Sequence, residues 1–356
     1  QQFWTARHAA LMAWLGQFGD EEIRRRPWLA VLAAFKELEV GNTAAAGHYA
    51  ELAERGSFHG PPPDGSVSFE SERAMLRVLM ARGGAEQMLV SASFAAEQEG
   101  DGPWGPLALW FLATARQVNG DLEVVDGILE KAVASARAYA NSGLAYSVAG
   151  HRAAVAADLG DWAKAAAIMD DASALVGEEV KRFASAATAC SMLVRLAMRG
   201  GDVALARREL ESMVALRPKL AGQGALAVMS LMGFARAYLA CGDPAGARAV
   251  LAQASDILRR HPGLGVLPDQ VAELRRQIAA LPIGPGGAST LTAAELRVLA
   301  LLPYYLSFAD IGARLGVRAT TIKSHALSIY GKLGASSRPE AVELAIEAGL
   351  LEPFLP

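Results

Sequence analysis

Apolar residues up to position 282 recur at helical spacing, in stretches that short polar turns separate. A Gly-Asp pair marks four of these turns and recurs at intervals of 40, 41 and 41 residues. The pairs begin at Gly120, Gly160, Gly201 and Gly242, and Gly41 and Gly83 extend the series toward the N-terminus. The pattern predicts a hairpin of two helices repeated about six times, and therefore an all-α chain.

The residues at each turn have the chemistry that a helix end requires. Glycine adopts a positive φ at little cost and so ends the first helix of a hairpin. The following Asp, or Asn42 in the first unit, can cap the second helix with its side-chain oxygen. A small residue stands five positions after the glycine, at Val125, Ala165, Ala206 and Ala247. One hairpin cannot bury its apolar face alone, so we expect the units to stack into a superhelix.

These units resemble tetratricopeptide repeats lengthened from about 34 residues to about 40. The last unit carries that pattern most fully, at Leu231, Tyr238, Gly242, Ala247 and Ala254. The resemblance implies a concave groove lined by the residue six positions before each glycine, which is arginine in three units. The groove candidates are Arg77, Trp110, Gln117, Ser147, Thr188, Ser191, Arg195, Met229, Met232 and Arg236.

Two interpretations of these groove candidates are open. In the first, they line a pocket for a small molecule, and arginine binds its carboxylate or phosphate group between apolar walls. In the second, they form a solvated polar face on which the arginines pair with Asp158 or with glutamates. Met229 and Met232 also suit packing against the next unit.

The chain changes character at residues 281–288, where the sequence LPIGPGGA has the composition of a linker. We therefore assign 1–282 to a helical-repeat domain, 283–289 to the linker and 290–356 to a second domain. Capping pairs in the second domain predict four helices, which run from Thr292 to Pro303, Ser307 to Leu315, Ala319 to Leu333 and Ser337 to Gly349. A short helix, a glycine turn and a longer helix make a helix-turn-helix.

The third of these helices has two unlike faces when it is drawn at about 100° per residue. Its apolar face holds Ile322, Ala326, Ile329 and Leu333, and its outer face holds Thr320, Lys323, Ser324, Leu327 and Gly331. The outer face suits the major groove of DNA, because lysine donates to guanine or phosphate and an aliphatic side chain meets the thymine methyl group. The residues placed to reach phosphates are Arg318, Thr321, His325 and Ser328.

The segment 291–345 resembles the LuxR-type helix-turn-helix of bacterial transcription factors. Matching motifs include IGARL at 311–315, TIKSH at 321–325 and KLG at 332–334. The resemblance implies that Lys323, Ser324 and Leu327 face bases of double-stranded DNA, and that Thr321, His325 and Lys332 lie near phosphates. It also implies a homodimer on inverted half-sites.

Two positions depart from that family's pattern. Tyr305 stands where glycine is usual, and Arg318 stands where Ser or Thr is usual. The third helix thereby lacks its customary N-cap, which is worth about 1 kcal/mol. Six basic and six acidic residues lie between 291 and 356, so we expect modest affinity from one domain and a strong need for dimerisation.

The whole chain resembles the MalT-like regulators of the same group, through the Gly-Asp repeats and through Trp28-Leu29 after Arg26-Pro27. Those proteins join an ATPase, a superhelix that senses an inducer and a LuxR-type domain. No G-x-x-x-x-G-K-[ST] motif occurs here, so the ATPase is not in this sequence. Two functions are open: a transcription regulator whose superhelix senses a small-molecule inducer or a partner, and an interaction scaffold that the C-terminal domain tethers to DNA.

Composition narrows the other possibilities. The net charge is −3, so contact with nucleic acid must come from a local patch. Two cysteines exclude a disulfide framework and favour the cytoplasm. The histidines share no metal-ligand spacing and no catalytic motif occurs, so we expect no metal, no cofactor and no enzyme. No stretch suits a membrane span, and the start at Gln1 indicates a processed chain or a piece of a longer one.

Overall fold

The computed structural model describes residues 18–280, 291, 293–304, 306–347 and 350–351, and the predicted linker at 283–289 lies outside them. The described residues form 18 α-helices and no strand, as the apolar pattern predicts. The helices before the linker are α1 (Asp20–Arg25), α2 (Pro27–Glu39), α3 (Thr43–Arg55), α4 (Phe69–Leu79), α5 (Gly84–Glu99), α6 (Gly105–Val118), α7 (Val125–Ala138), α8 (Ser142–Asp158), α9 (Trp162–Ser173), α10 (Ala187–Arg199), α11 (Val203–Leu216), α12 (Gly224–Ala240), α13 (Pro244–Arg260) and α14 (Leu267–Ala280). None of the described helices has both the length and the apolar content that crossing a membrane requires.

Helices α2 to α13 pack in sequence as six hairpins, which we number one (α2–α3) to six (α12–α13). The predicted turn glycine of every hairpin has a positive φ, between 73° and 86°. In four hairpins a polar side chain after the glycine accepts a hydrogen bond from the backbone N–H three residues later. These caps are Asn42, Asp161, Asp202 and Asp243. The turn chemistry predicted from the sequence is confirmed at these positions.

The turn of hairpin three is different. Asp121 makes no capping bond, because a 3₁₀ turn at Leu122–Val124 separates it from the start of α7. Its carboxylate instead pairs with Arg116 at 3.0 Å. The prediction of an Asp cap at this turn is therefore wrong.

The six hairpins share one core that runs from Ile23 to Ile278. The predicted small residues after the turns lie fully inside it, at Val125, Ala165, Ala206 and Ala247. Helix α12 contacts its neighbours α10 and α13, and it also contacts α4 and α6 from much earlier in the chain. The superhelix therefore curls back until its late hairpins meet its early ones.

Backbone hydrogen bonds stabilise this contact between the late and the early hairpins. The loop after α13 meets two early turns: Ala85 donates to the Gly263 carbonyl over 2.8 Å, and Val266 donates to the Val118 carbonyl over 2.9 Å. Gly265 leaves no room for a side chain, since a Cβ there would lie 1.9 Å from the Val118 oxygen. The loop after α13 is therefore in direct contact with the start of α5 and the end of α6.

A buried group of carboxyls lies in hairpin two and in the loop that precedes it. Glu72 and Glu99 are 1% and 2% exposed, and the Ser66 hydroxyl donates to Glu72 Oε1 over 2.7 Å. The second oxygen of Glu72 and Oδ2 of Asp64 are buried without a hydrogen-bond partner among the described residues. Burial, followed by contact with Asp64, raises the pKa of Glu72 to about 9. Glu72 is therefore protonated at neutral pH.

This proton makes stability depend on pH. Between the ordinary value of 4.5 and about 9, folded Glu72 keeps a proton that the unfolded chain releases, so the free energy of unfolding falls as pH rises. We expect Glu72→Gln to raise the melting temperature at pH 9 and to change it little at pH 4.5, because Glu72 costs the parent about 1.4 kcal/mol of unfolding free energy per pH unit across this interval. Thermal melts between these pH values check this, with exposed Glu97→Gln as the control. Parallel curves for parent and Glu72→Gln would contradict it.

The helices after the linker are α15 (Ala293–Leu299), α16 (Phe308–Leu315), α17 (Ala319–Leu333) and α18 (Arg338–Glu347). They enclose a second, smaller core. The prediction that the first of them reaches Pro303 is wrong, because the chain tightens after Leu299. Leu301 donates to the Val298 carbonyl, and a 3₁₀ turn follows at Leu302–Tyr304.

Candidate nucleic-acid interface

The turn that precedes α17 determines where this helix begins. Ser307 and Asp310 form the predicted capping box of α16, and Gly316 ends that helix with φ +68°. Gly312 permits the close return of the chain, since a Cβ there would lie 2.6 Å from the Val317 carbonyl oxygen. Helix α17 then begins and ends at the predicted residues.

One face of α17 is fixed by packing. Ile322, Ala326 and Ile329 are fully buried, and Leu333 is half-buried at the edge of the second core. This is the apolar face that the helical wheel predicts. Because it is held in the core, the opposite face points away from the domain.

Thr320 and the three predicted base-facing residues, Lys323, Ser324 and Leu327, lie on that outward face. Thr320, Lys323 and Ser324 are exposed, and Leu327 has 60% of its surface in solvent. The Ser324 hydroxyl donates back to the Thr320 carbonyl over 3.2 Å. Covering an exposed leucine removes apolar surface from water, which is favourable. Contact of a ligand with Leu327 would therefore favour binding.

The predicted phosphate contacts flank this face. Arg318, Thr321 and Ser328 are exposed, whereas His325 and Lys332 are half-buried. Arg318 occupies the N-cap position of α17 and makes no side-chain cap, as its departure from the family's pattern predicts. Its carbonyl nonetheless accepts the first helical bonds, from Thr321 and Ile322. Tyr305 and Thr292 lie outside the described residues.

Glu295 has a role that sequence reasoning missed. It is only 4% exposed and accepts hydrogen bonds from Ser328 over 2.6 Å and from Lys332 over 2.7 Å. Two predicted phosphate ligands are thereby tied to helix α15. The signal in the sequence was the spacing of Ser328 and Lys332, four residues apart on one face of α17.

The groove candidates fall into separate sets in the structure. Arg77 is bound by Glu54 at 2.6 Å and by Glu70 at 2.8 Å, and it holds the pKa of Glu54 below its ordinary value. Arg195 and Arg236, from adjacent hairpins, lie 3.6 and 3.5 Å from the two oxygens of Asp158. The pairing with acids that the sequence left open is present at all three arginines.

The other candidates bond to nearby groups. Ser147 donates to the Gly143 carbonyl and Ser191 to the Thr188 carbonyl, over 3.0 and 2.7 Å. Thr188 in turn meets Ser230 across adjacent hairpins at 3.0 Å. Met232 is buried and Met229 half-buried, both against the main core.

His151 bonds to two further groove candidates, Trp110 and Gln117, and no motif in the sequence predicted this. The Trp110 indole N–H donates to His151 Nδ1 over 3.0 Å, so the ring proton lies on Nε2 and is donated to Gln117 Oε1 over 2.6 Å. Burial lowers the pKa of His151 to about 4, so the ring is neutral. Trp162 was missed as well: the guanidinium of Arg195 lies 4.9 Å from the centre of its ring.

Comparison with known proteins concerns a small part of the chain. Residues 289–345 match the family of bacterial regulatory proteins described as the luxR family. Over 61 residues the chain is 46% identical to the transcriptional regulatory protein YdfI of Bacillus subtilis (strain 168). The matched segment covers 17% of this chain, and the chain spans only 29% of the length of YdfI. Together with the fold of α15 to α18, these matches identify the C-terminal part of the chain as a LuxR-type helix-turn-helix domain.

Proposed function

We propose that the protein is a transcription regulator that binds double-stranded DNA and that α17 reads the major groove. The observation that carries this proposal is the outward face of α17, on which Lys323, Ser324 and Leu327 are exposed while the opposite face is held in the core. The match of residues 289–345 to the luxR family supports it. Because the net charge is −3, the molecule as a whole does not attract DNA, and the proposal assigns the attraction to this patch.

In this proposal the residues have distinct parts. Lys323 and Ser324 hydrogen-bond to base edges, and Leu327 packs on a thymine methyl group. Thr320 stands at the start of the same face. Arg318, Thr321 and His325 meet phosphates and set the register of the helix on the duplex.

Ser328 and Lys332 reach phosphates only at the expense of their bonds to Glu295, and so they contribute less than the other polar residues. Because one domain carries no net charge, two copies acting as a homodimer on inverted half-sites supply the affinity.

We further propose that the six hairpins form the sensing unit of a MalT-like regulator, which takes a small-molecule inducer or a protein partner in the cytoplasm. Gln117, Thr188, Met229 and Arg236 are half-buried and so remain within reach of solvent. A thermal-shift screen distinguishes a small-molecule inducer from a protein partner, because a bound metabolite raises the melting temperature in proportion to the logarithm of its concentration. A partner protein would instead be recovered with the chain.

Selection from a random pool of duplex DNA tests the central proposal. We expect enrichment of a pair of inverted half-sites, bound at least about a thousandfold more tightly than unrelated DNA in the same salt. Binding measured by fluorescence anisotropy from low to high salt should weaken steadily, since phosphate contacts release counterions. Failure to enrich any sequence, with binding equal to that of unrelated DNA, would contradict the proposal.

A further inference from the structure

The helix-turn-helix domain touches the superhelix at the turn of hairpin five. The Tyr304 hydroxyl donates to the Arg199 carbonyl over 2.6 Å and to the Met198 carbonyl over 3.2 Å. The Arg314 guanidinium donates to the Gly201 carbonyl over 3.1 Å. All three acceptors lie where α10 ends.

The turn of hairpin six meets the same domain. Gly242 lies so close to α15 that a Cβ on it would be 2.3 Å from the Leu296 Cβ and 2.8 Å from the Leu296 carbonyl carbon. Val203 of hairpin five packs on the second core, and Ala300 packs on the main core. The domain thus rests on two adjacent turns, and we call the surface around Gly201 and Gly242 the seat.

The chemistry of the seat favours docking. Carbonyls at the C-terminal end of a helix lack partners within the helix and carry partial negative charge. At the end of α10 the Arg199 carbonyl accepts from the Tyr304 hydroxyl. Tyr304 and Arg314 add side-chain bonds to the Met198 and Gly201 carbonyls, which also accept from backbone N–H groups of the same turn. The docked domain leaves Lys323 and Leu327 of α17 exposed, so the seat does not cover the face proposed to read DNA.

We propose that the seat holds the helix-turn-helix domain on the superhelix as one body, with its DNA-reading face outward, and that it couples the domain to the angle between hairpins five and six. The coupling follows from geometry, because a body in contact with two turns must shift when one turn moves against the other. Arg195 and Arg236 belong to these same hairpins, stand six residues before Gly201 and Gly242, and share Asp158. A change in that shared pairing would alter the angle between the hairpins.

Gly242→Ala tests the docking, with Gly160→Ala as its matched control. Both glycines have a positive φ in a hairpin turn, but a Cβ at Gly160 meets nothing within 4 Å. We expect Gly242→Ala to enlarge the radius of gyration in solution scattering and to speed amide exchange at 296–304 at least about threefold. Gly160→Ala should leave both unchanged. Identical scattering and exchange for the two variants would overturn the proposal.

Arg314→Ala keeps the test decisive should Gly242→Ala fail to fold, because Arg314 is an exposed side chain. Arg318→Ala is its control, since that side chain is also exposed and belongs to the same domain. We expect faster exchange at 296–304 for Arg314→Ala alone, and equal exchange for both variants would overturn docking. None of these measurements needs DNA, so they stand apart from the proposed function.

Asp158→Asn tests the coupling. It neutralises the carboxylate that Arg195 and Arg236 share, far in sequence from the helix-turn-helix domain. We expect changed exchange at 296–304 in this variant, with the helical content of the chain preserved. Exchange there equal to that of the parent would overturn the coupling.

Discussion

Lys323→Ala and Leu327→Ala are each expected to weaken binding to the selected DNA site by about ten- to a hundredfold. A good contact to a base edge is worth about 1–3 kcal/mol of discrimination, which corresponds to this range. Both side chains project from the face of α17 that the core does not hold. The double variant should bind the selected site about as weakly as unrelated DNA.

The two variants should differ in their dependence on salt. If Lys323 touches a phosphate as well as a base, its loss lowers the slope of log affinity against log salt by about one. Leu327 has no charge, so its loss weakens binding at every salt concentration and leaves the slope as it was. Anisotropy titrations of each variant at several salt concentrations separate these effects.

Matched controls come from the superhelix. Lys131 is an exposed lysine on α7, and Leu159 is a leucine with 71% of its surface in solvent. Lys131→Ala and Leu159→Ala remove the same atoms from the protein without touching α17. We expect both to bind like the parent, and an equal loss in all four variants would contradict the assignment of the reading face.

The reading helix was predictable because its signals are local. A capping pair at Ser307, a glycine at Gly316 and a helical repeat of apolar residues define α16 and α17 without any knowledge of distant contacts. The end of α15 was predicted wrongly at Pro303, since the choice between an α-turn and a 3₁₀ turn after Leu299 depends on packing around the second core.

The hairpins show the same difference between features that follow from neighbouring residues and features that depend on packing. Glycine at each turn and an Asp or Asn cap after most of them follow from neighbouring residues, and they are present. Two other features depend on which residues meet across distant helices: the contact of α12 with α4 and α6, and the bonding of Trp110 and Gln117 to His151. A periodic sequence pattern predicts which face of a helix is buried. It does not predict which residues pack against that face.

The contrast between two glycines within helices tests the packing of the superhelix. Gly150→Ala is expected to destabilise the protein by about 1–3 kcal/mol, the usual cost of forcing extra atoms into a filled core. A Cβ at Gly150 of α8 would lie 2.4 Å from the Ala189 Cβ and 2.5 Å from its Cα on α10. Both obstacles belong to residue 189 close to its backbone, so no rotation of a side chain relieves the clash, and α8 and α10 must separate.

Gly127→Ala, one hairpin earlier, should act in the opposite direction. Gly127 is exposed in α7 and a Cβ there meets nothing within 4 Å. Alanine in such a helix position stabilises by about 0.5–1 kcal/mol, because glycine loses more backbone freedom on folding. Urea unfolding of the two variants should therefore move the midpoint to lower urea for Gly150→Ala and to higher urea for Gly127→Ala. Shifts of the same sign would mean that α8 and α10 do not approach as closely as the absence of a side chain at Gly150 allows.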